Sequence, residues 1–172
     1  MEHSWKQSEQ EDMEICYPEQ SSFHLGDQLY LHVNADGIHL KKGSVDLYFP
    51  VCRWVQLRYT MDDIDEVVHY LNYNRYASLN EHLCGNVYVK TESPAMSFDI
   101  RKYSLSLLDG QLHPTPKGID ISFDQYDKLK EVDGILSLFI PEITTTLPCY
   151  MTHQNVEGAL YCSECHPNGP DC

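Results

Sequence analysis

The chain has 172 residues, 42% of them apolar, and a formal net charge of −14. That is enough apolar side chain for one compact domain, or for two small halves sharing one core, and it contains no run of about eighteen apolar residues that would cross a membrane. The acid excess opposes strong non-specific binding of polyanions, because Lys and Arg are what neutralise phosphates, yet it leaves room for a local basic patch.

Residues 1–22 hold six acids against one base and few aliphatics, which predicts a disordered acidic tail. This segment has no basic start, apolar stretch or small-residue cleavage site, so it does not read as a secretory signal and the chain is expected to be intracellular. Seven Cys, an odd number, argue against a full disulfide framework there.

From Phe23 the pattern becomes strand-like. Leu29, Leu31 and Val33 alternate with Tyr30 and His32. Asn34-Ala-Asp-Gly37 is a turn signal, Ile38 to Lys41 a short second strand and Val45 to Phe49 a third. Pro50 suits the first turn of a helix over about 51–71. Its apolar stripe is Trp54, Leu57, Met61, Ile64, Val68 and Leu71, a heptad-like seam suited to packing on another helix. Asp62, Asp63, Asp65 and Glu66 lie off the seam and are expected to be solvated rather than metal-binding, since they sit on a helix and not in a calcium loop.

Residues 72–80 read as a Tyr/Asn-rich connector. A second strand set follows, with Val87 and Val89, then Met96, Phe98 and Ile100, alternating with polar neighbours. Leu108-Asp-Gly110 turns the chain into a last strand over 112–121, whose two Pro place it at an edge. Ser122 and Gln125 form a capping box for a second helix with the stripe Phe123, Tyr126, Leu129, Val132, Leu136 and Phe139. Gly134 weakens that helix and Pro141 ends it. The order strands–helix, strands–helix is a weak internal repeat. The expected divisions are 1–22, 23–75, 76–143 and a Cys/His-rich tail, 144–172.

Phe98-Asp-Ile-Arg-Lys-Tyr103, Leu112-His-Pro-Thr-Pro-Lys-Gly-Ile-Asp-Ile121 and Asp124-Gln-Tyr-Asp-Lys-Leu129 together resemble the C-terminal domain of the positive cofactor four family of transcriptional coactivators, over residues 81–140. There, an Ile-Arg-x-Tyr strand leads to a Pro-x-x-Lys-Gly-Ile strand and a helix. Phe23-His-Leu-Gly26, Trp54-Val-Gln-Leu-Arg58 and Asp63-Ile-Asp-Glu-Val-Val68 give residues 23–71 the look of a degenerate copy, with Gly37-Ile-His-Leu-Lys41 in place of the Ile-Arg-x-Tyr strand. The family is a homodimer of sheet-plus-helix subunits packed through their helices. The resemblance therefore implies an α+β fold in which this single chain builds an intramolecular pseudo-dimer and is a monomer in solution.

The family binds single-stranded DNA and melted duplex through basic and aromatic strand residues. By position these are Lys90, Arg101, Lys102, Tyr103 and Lys117, with Lys41 and Lys42 in the first half. Cations hold phosphates while aromatic faces stack on bases. Ser104 stands where the family usually has a second aromatic, and Glu92 lies in a loop that is basic in the family. The competing expectation is that these cations are solvated strand residues paired with Asp99, Asp120 and Asp124.

Cys149-x3-His153-x8-Cys162-x2-Cys165 has the ligand types and the Cys-x2-Cys knuckle of a structural zinc site, with His166 and Cys172 in reserve. So short a tail would gain its order from the metal. No nucleophile turn and no Gly-rich phosphate loop are present, so no enzymatic activity is expected. The resulting expectation is a nuclear or viral-factory cofactor of transcription or replication that binds nucleic acid. The alternative is an acidic interaction module that kept the fold, lost DNA binding, and recruits a basic partner or mimics nucleic acid.

Overall fold

The computed structural model describes residues 20–169. Most of the acidic tail and Cys172 lie outside them. Ser21 and Ser22, assigned to the tail, instead open the first strand, β1 (Ser21–Gly26). It is followed by β2 (Leu29–Asn34), β3 (Gly37–Lys42), β4 (Val45–Phe49) and α1 (Val51–Asn72). The second half repeats the order with β5 (Ser78–His82), β6 (Val87–Glu92), β7 (Ser97–Leu105), β8 (Leu112–Ser122) and α2 (Phe123–Leu136). Short helices α3 (Glu142–Thr145) and α4 (Val156–Leu160) flank a 3-10 turn over Cys149–Met151.

Each half is a four-stranded antiparallel meander, in the orders β1-β2-β3-β4 and β5-β6-β7-β8. Period-2 alternation buries one face of each: Leu29, Leu31, Val33, Ile38 and Leu40 in the first, Val87, Val89, Phe98, Ile100, Ile119 and Ile121 in the second. The Asn34 turn works as an Asx turn, its Oδ1 accepting from the backbone N–H of Asp36 and Gly37. The edge position expected for the proline-bearing last strand is where β8 lies. β5 begins inside the expected connector and runs two residues past it. Only Leu79 of its five residues is buried, so it has no apolar alternation to announce it.

The helices meet along their apolar stripes and run antiparallel. The indole N–H of Trp54 donates to Asp133 Oδ1 at 2.8 Å, and the Tyr126 hydroxyl donates to the carbonyl of Met61 at 3.1 Å. Lys130 reaches Asp65 at 2.8 Å on the solvent side. Trp54, Leu57, Ile64, Tyr126, Leu129 and Leu136 are buried. On α1 the turn nearer the C-terminus buries Val67 rather than Val68, the 3.6-residue period overriding the strict heptad. Each helix also packs on the first strand of the opposite half, α2 on β1 and α1 on β5, and the edge strands β4 and β8 lie side by side. The predicted capping box is present: Ser122 Oγ accepts from Gln125 N, and Gln125 Oε1 accepts from Ser122 N.

The architecture is thus α+β, two sheet-plus-helix halves joined through a common core, as expected for a pseudo-dimer.

Candidate nucleic-acid face and metal centre

The face of each sheet turned away from the helices carries the side chains left over by the apolar alternation. In the second sheet, pairing sets Tyr88 opposite Arg101, Lys90 opposite Asp99, Arg101 opposite Gly118 and Tyr103 opposite Pro114. The rings form a connected row. His82 lies against Tyr88 at 4.9 Å between centroids, and Tyr103 meets Tyr88 edge-on at 5.3 Å. Lys90 Nζ stands 4.1 Å from the Tyr103 centroid and 5.5 Å from that of Tyr88, a cation–π cap. Burial in this row pushes the Tyr88 hydroxyl pKa above its ordinary value.

The candidate residues differ in how available they are. Tyr103 is only 8% exposed, covered by Lys90 and Tyr88. Arg101 forks onto Asp99 at 2.8 and 3.0 Å and donates a third bond to the Thr115 carbonyl at 2.7 Å. The hydrogen bonds it donates to Asp99 raise its pKa further, against the opposing effect of burial. The planar guanidinium lies so close over Gly118 that a Cβ there would collide with it. Lys102 and Lys117 are exposed and make no ion pair among the described residues.

In the first sheet, Lys41 sits 3.4 Å from Asp46, and Lys42 donates to the carbonyl of Asp120 on β8 at 2.6 Å, bridging the two sheets. The sequence signal for two further rings passed unused, although they hold the polar slots of the alternating pattern. Tyr30 and Tyr48 are 40% and 41% exposed, in tilted ring contact with His24 and His39 respectively. His39 also meets Asp46 at 2.9 Å. Burial works to raise the Asp46 pKa, but the His39 hydrogen bond and the Lys41 charge bring it below its ordinary value. His32, between them, is lowered, first by burial and then by Lys41.

At the other end of the chain, Cys149, His153, Cys162 and Cys165 converge, all four ligand atoms within 4.8 Å of one another. Cys149 Sγ lies 3.4 Å from Cys162 Sγ and 3.7 Å from His153 Nε2, and His153 Nε2 lies 3.3 Å from Cys165 Sγ. A tetrahedron with bonds of about 2.3 Å to sulfur and about 2.0 Å to nitrogen has edges of about 3.5–3.8 Å, so this donor set fits a metal ion, and all its cysteines are free thiols. The knuckle is a turn closed by His166 N onto the Cys162 carbonyl at 2.7 Å. The backbone N–H of Cys165 lowers the Cys162 thiol pKa, whereas burial pushes Cys149 up to about 12 and also raises Cys165. His166 lies beside this cluster, lining a cavity of about 290 Å³ with Cys84 and Glu164.

The Cys/His cluster is fastened to the core. Gly85 N donates to the Glu164 carbonyl at 2.8 Å, and Asn168 donates to Asn86 at 2.9 Å. Gly85 has φ +57°, and an added Cβ there would meet Arg53 Nη2 at 2.9 Å.

Residues 96–132 match the family model described as Transcriptional Coactivator p15 (PC4). The matched stretch runs from the start of β7 through β8 into α2, and carries Arg101, Lys102, Tyr103 and Lys117. The second half therefore contains a PC4-like segment, as its motifs imply; the match does not reach residues 23–71. No curated protein and no solved structure matches the chain. Among the described residues, no helix is long and apolar enough to cross a membrane.

Proposed function

We propose that this chain is a non-enzymatic, nuclear cofactor of transcription or replication that binds single-stranded nucleic acid across the outer faces of its two sheets. The observation that carries this is the aromatic and basic face of the PC4-like segment and its neighbour β6: Tyr88, Lys90 and Tyr103 in one cluster, with Lys102 and Lys117 free beside it. Lys102, Lys117 and Lys90 hold phosphates, and bases stack on Tyr88 and on the exposed Tyr30 and Tyr48. Lys41, Lys42 and Arg101 become available where phosphate displaces their protein partners. Residues 23–71 are a diverged copy of the PC4-like half, so one polypeptide supplies both halves of the binding unit as a monomer.

The test is fluorescence anisotropy with a labelled oligothymidine at low salt. Binding that weakens with added salt and is lost in Lys102→Glu/Lys117→Glu supports the proposal. No salt-sensitive binding overturns it. A specific observation favours the rival acidic interaction module: Arg101 is already engaged by Asp99 within a chain of net charge −14. Capture of basic chromatin proteins without nucleic acid, together with silence toward oligothymidine, would decide for that module.

We infer that the metal is zinc, held by Cys149, His153, Cys162 and Cys165. The three-sulfur, one-nitrogen donor set and the closed tetrahedral spacing support a structural role. Such an ion would supply order to a tail with few apolar residues and would take the cysteines as thiolates.

A further inference from the structure

The hairpin joining β7 and β8 ends in two leucines that touch almost nothing. Leu107 is 97% exposed and Leu108 fully exposed. Apolar side chains at a loop tip are usually either tucked under the loop or replaced by polar residues. Here the loop is built to hold them outward. Ser106 N donates to the Gln111 carbonyl and Gly110 N to the Ser106 carbonyl, both at 2.9 Å. Leu108 N donates to Ser106 Oγ, Gln111 N donates to Asp109 Oδ1, and Asp109 pairs with His113 at 2.7 Å. Gly110 takes φ +67°, the left-handed turn position this closure requires. The tip is a preorganised feature.

Its place in the fold narrows what it meets. The first half has no counterpart: β3 and β4 are joined by Gly43 and Ser44 alone. The two strands that carry the leucines are the ones that carry Lys102 and Lys117, both exposed and free of ion pairs among the described residues. They also lie within the stretch that matches the PC4 model. An apolar tip on a stem with exposed cations has the chemistry of a wedge that enters between stacked bases while the cations hold the flanking phosphates.

We propose that Leu107 and Leu108 form an apolar wedge that unstacks the terminal base pairs where duplex nucleic acid meets a single strand. This rests on the single-strand reading above and adds to it a duplex-opening element confined to one half. Binding delivers the junction to the sheet face, and the two leucines occupy the gap left as the first pair parts. No covalent step is involved.

The experiment uses the full chain and a short A·T-rich duplex bearing an oligothymidine tail, with a fluorescent adenine analogue at the first paired position. Unstacking raises its emission. The wild-type chain is expected to raise emission on binding. Leu107→Ser/Leu108→Ser is expected to bind oligothymidine unchanged but to need about tenfold more protein for the same rise. The leucines are exposed, so the variant should melt as the wild type does. Leu108→Phe, which keeps an apolar wedge, is expected to retain opening. The wedge is overturned if the double serine variant opens the junction as well as the wild type does. It is equally overturned if the wild type binds the tailed duplex with no change in emission, which would point to a protein partner for the leucines. Failure of the wild type to bind oligothymidine at all is a separate readout and overturns the nucleic-acid reading itself, and this inference with it.

Discussion

Trp54 and Asp133 meet across the helix seam at 2.8 Å, and their contact has a mirror in the same seam. Tyr126 donates to Met61, and each pair of equivalent positions is 72 residues apart, 54 with 126 and 61 with 133. A second pair of contacts shares the relation on its donor side. Gln125 Nε2 donates to the Gly26 carbonyl at 3.0 Å, and Arg53 Nε donates to the Cys84 carbonyl at 3.3 Å. Residues 53 and 125 are again 72 apart, and the acceptors lie where the first strand of each half ends, Gly26 closing β1 and Cys84 in the turn after β5. Reciprocal contacts of this kind define an isologous two-fold interface, here written within one polypeptide.

Asp133 accepts from both Trp54 and Arg58, and its side chain is nearly buried. Asp133→Ala strands a buried indole N–H and a half-buried guanidinium, so it should cost about 1–3 kcal/mol. Lys130→Ala removes an ion pair to Asp65 that is well exposed on both sides, and such pairs contribute about 0–1 kcal/mol. Urea unfolding of both variants checks the order. If Asp133→Ala proves no more costly than Lys130→Ala, the seam does not depend on that carboxylate.

Metal removal should act on the tail first and on the core second. A chain purified without chelator is expected to carry about one zinc, and Cys162→Ser to carry little. Because Glu164 and Asn168 tie the module to Gly85 and Asn86, loss of the ion should also speed hydrogen exchange at the β5–β6 turn. Elemental analysis and exchange mass spectrometry read the two effects. Less than about half a zinc per wild-type chain would refute the zinc assignment.

The two long helices and six strands were legible, β1 and β2 being read as a single strand, because each buries one face, and the spacing of Trp54, Leu57, Met61 and Ile64 or of Leu29, Leu31 and Val33 writes that face into the chain. β5 was not, since Ser78, Asn80 and Glu81 pair through backbone alone at a sheet edge. The Cys/His cluster could be read from local spacing. The state of the cationic face could not. Whether Arg101 is free or forked onto Asp99, and whether Tyr103 is a platform or lies under Lys90, depends on register between strands and on rotamers. The long-range 72-residue relation is equally silent in the sequence, because the positions that satisfy it, Trp with Tyr and Met with Asp, hold different residues.

Acidification should weaken the first sheet in two steps. His32 has a lowered pKa, so the unfolded chain takes up the proton first as pH falls through about 6.5, and stability declines from there down to the folded value. Asp46 has a lowered pKa, so its contribution is present above the ordinary carboxylate value and is lost as pH falls through its lower folded value. His32→Gln should flatten the upper step and leave the lower one. Denaturant melts at a series of pH values test this. An unchanged slope near neutral pH in the variant would remove His32 as its source.

The fork between Asp99 and Arg101 separates the two functional readings. If the sheet face binds phosphate, Asp99 competes with it for the same guanidinium, and each ligand of Arg101 must be given up before the other is gained. Asp99→Asn keeps the shape but removes the charge. It should tighten oligothymidine binding by about tenfold and steepen the salt dependence by about one phosphate contact. Arg101→Gln in the same background should erase the gain, because the freed cation is what provides it. If the face is instead an acidic docking surface, Asp99→Asn leaves oligothymidine unbound and weakens capture of basic partners. Anisotropy titrations of the wild type and both variants over a range of salt distinguish these outcomes. Equal affinity and equal salt slope in all three would mean that Arg101 serves the sheet rather than a ligand.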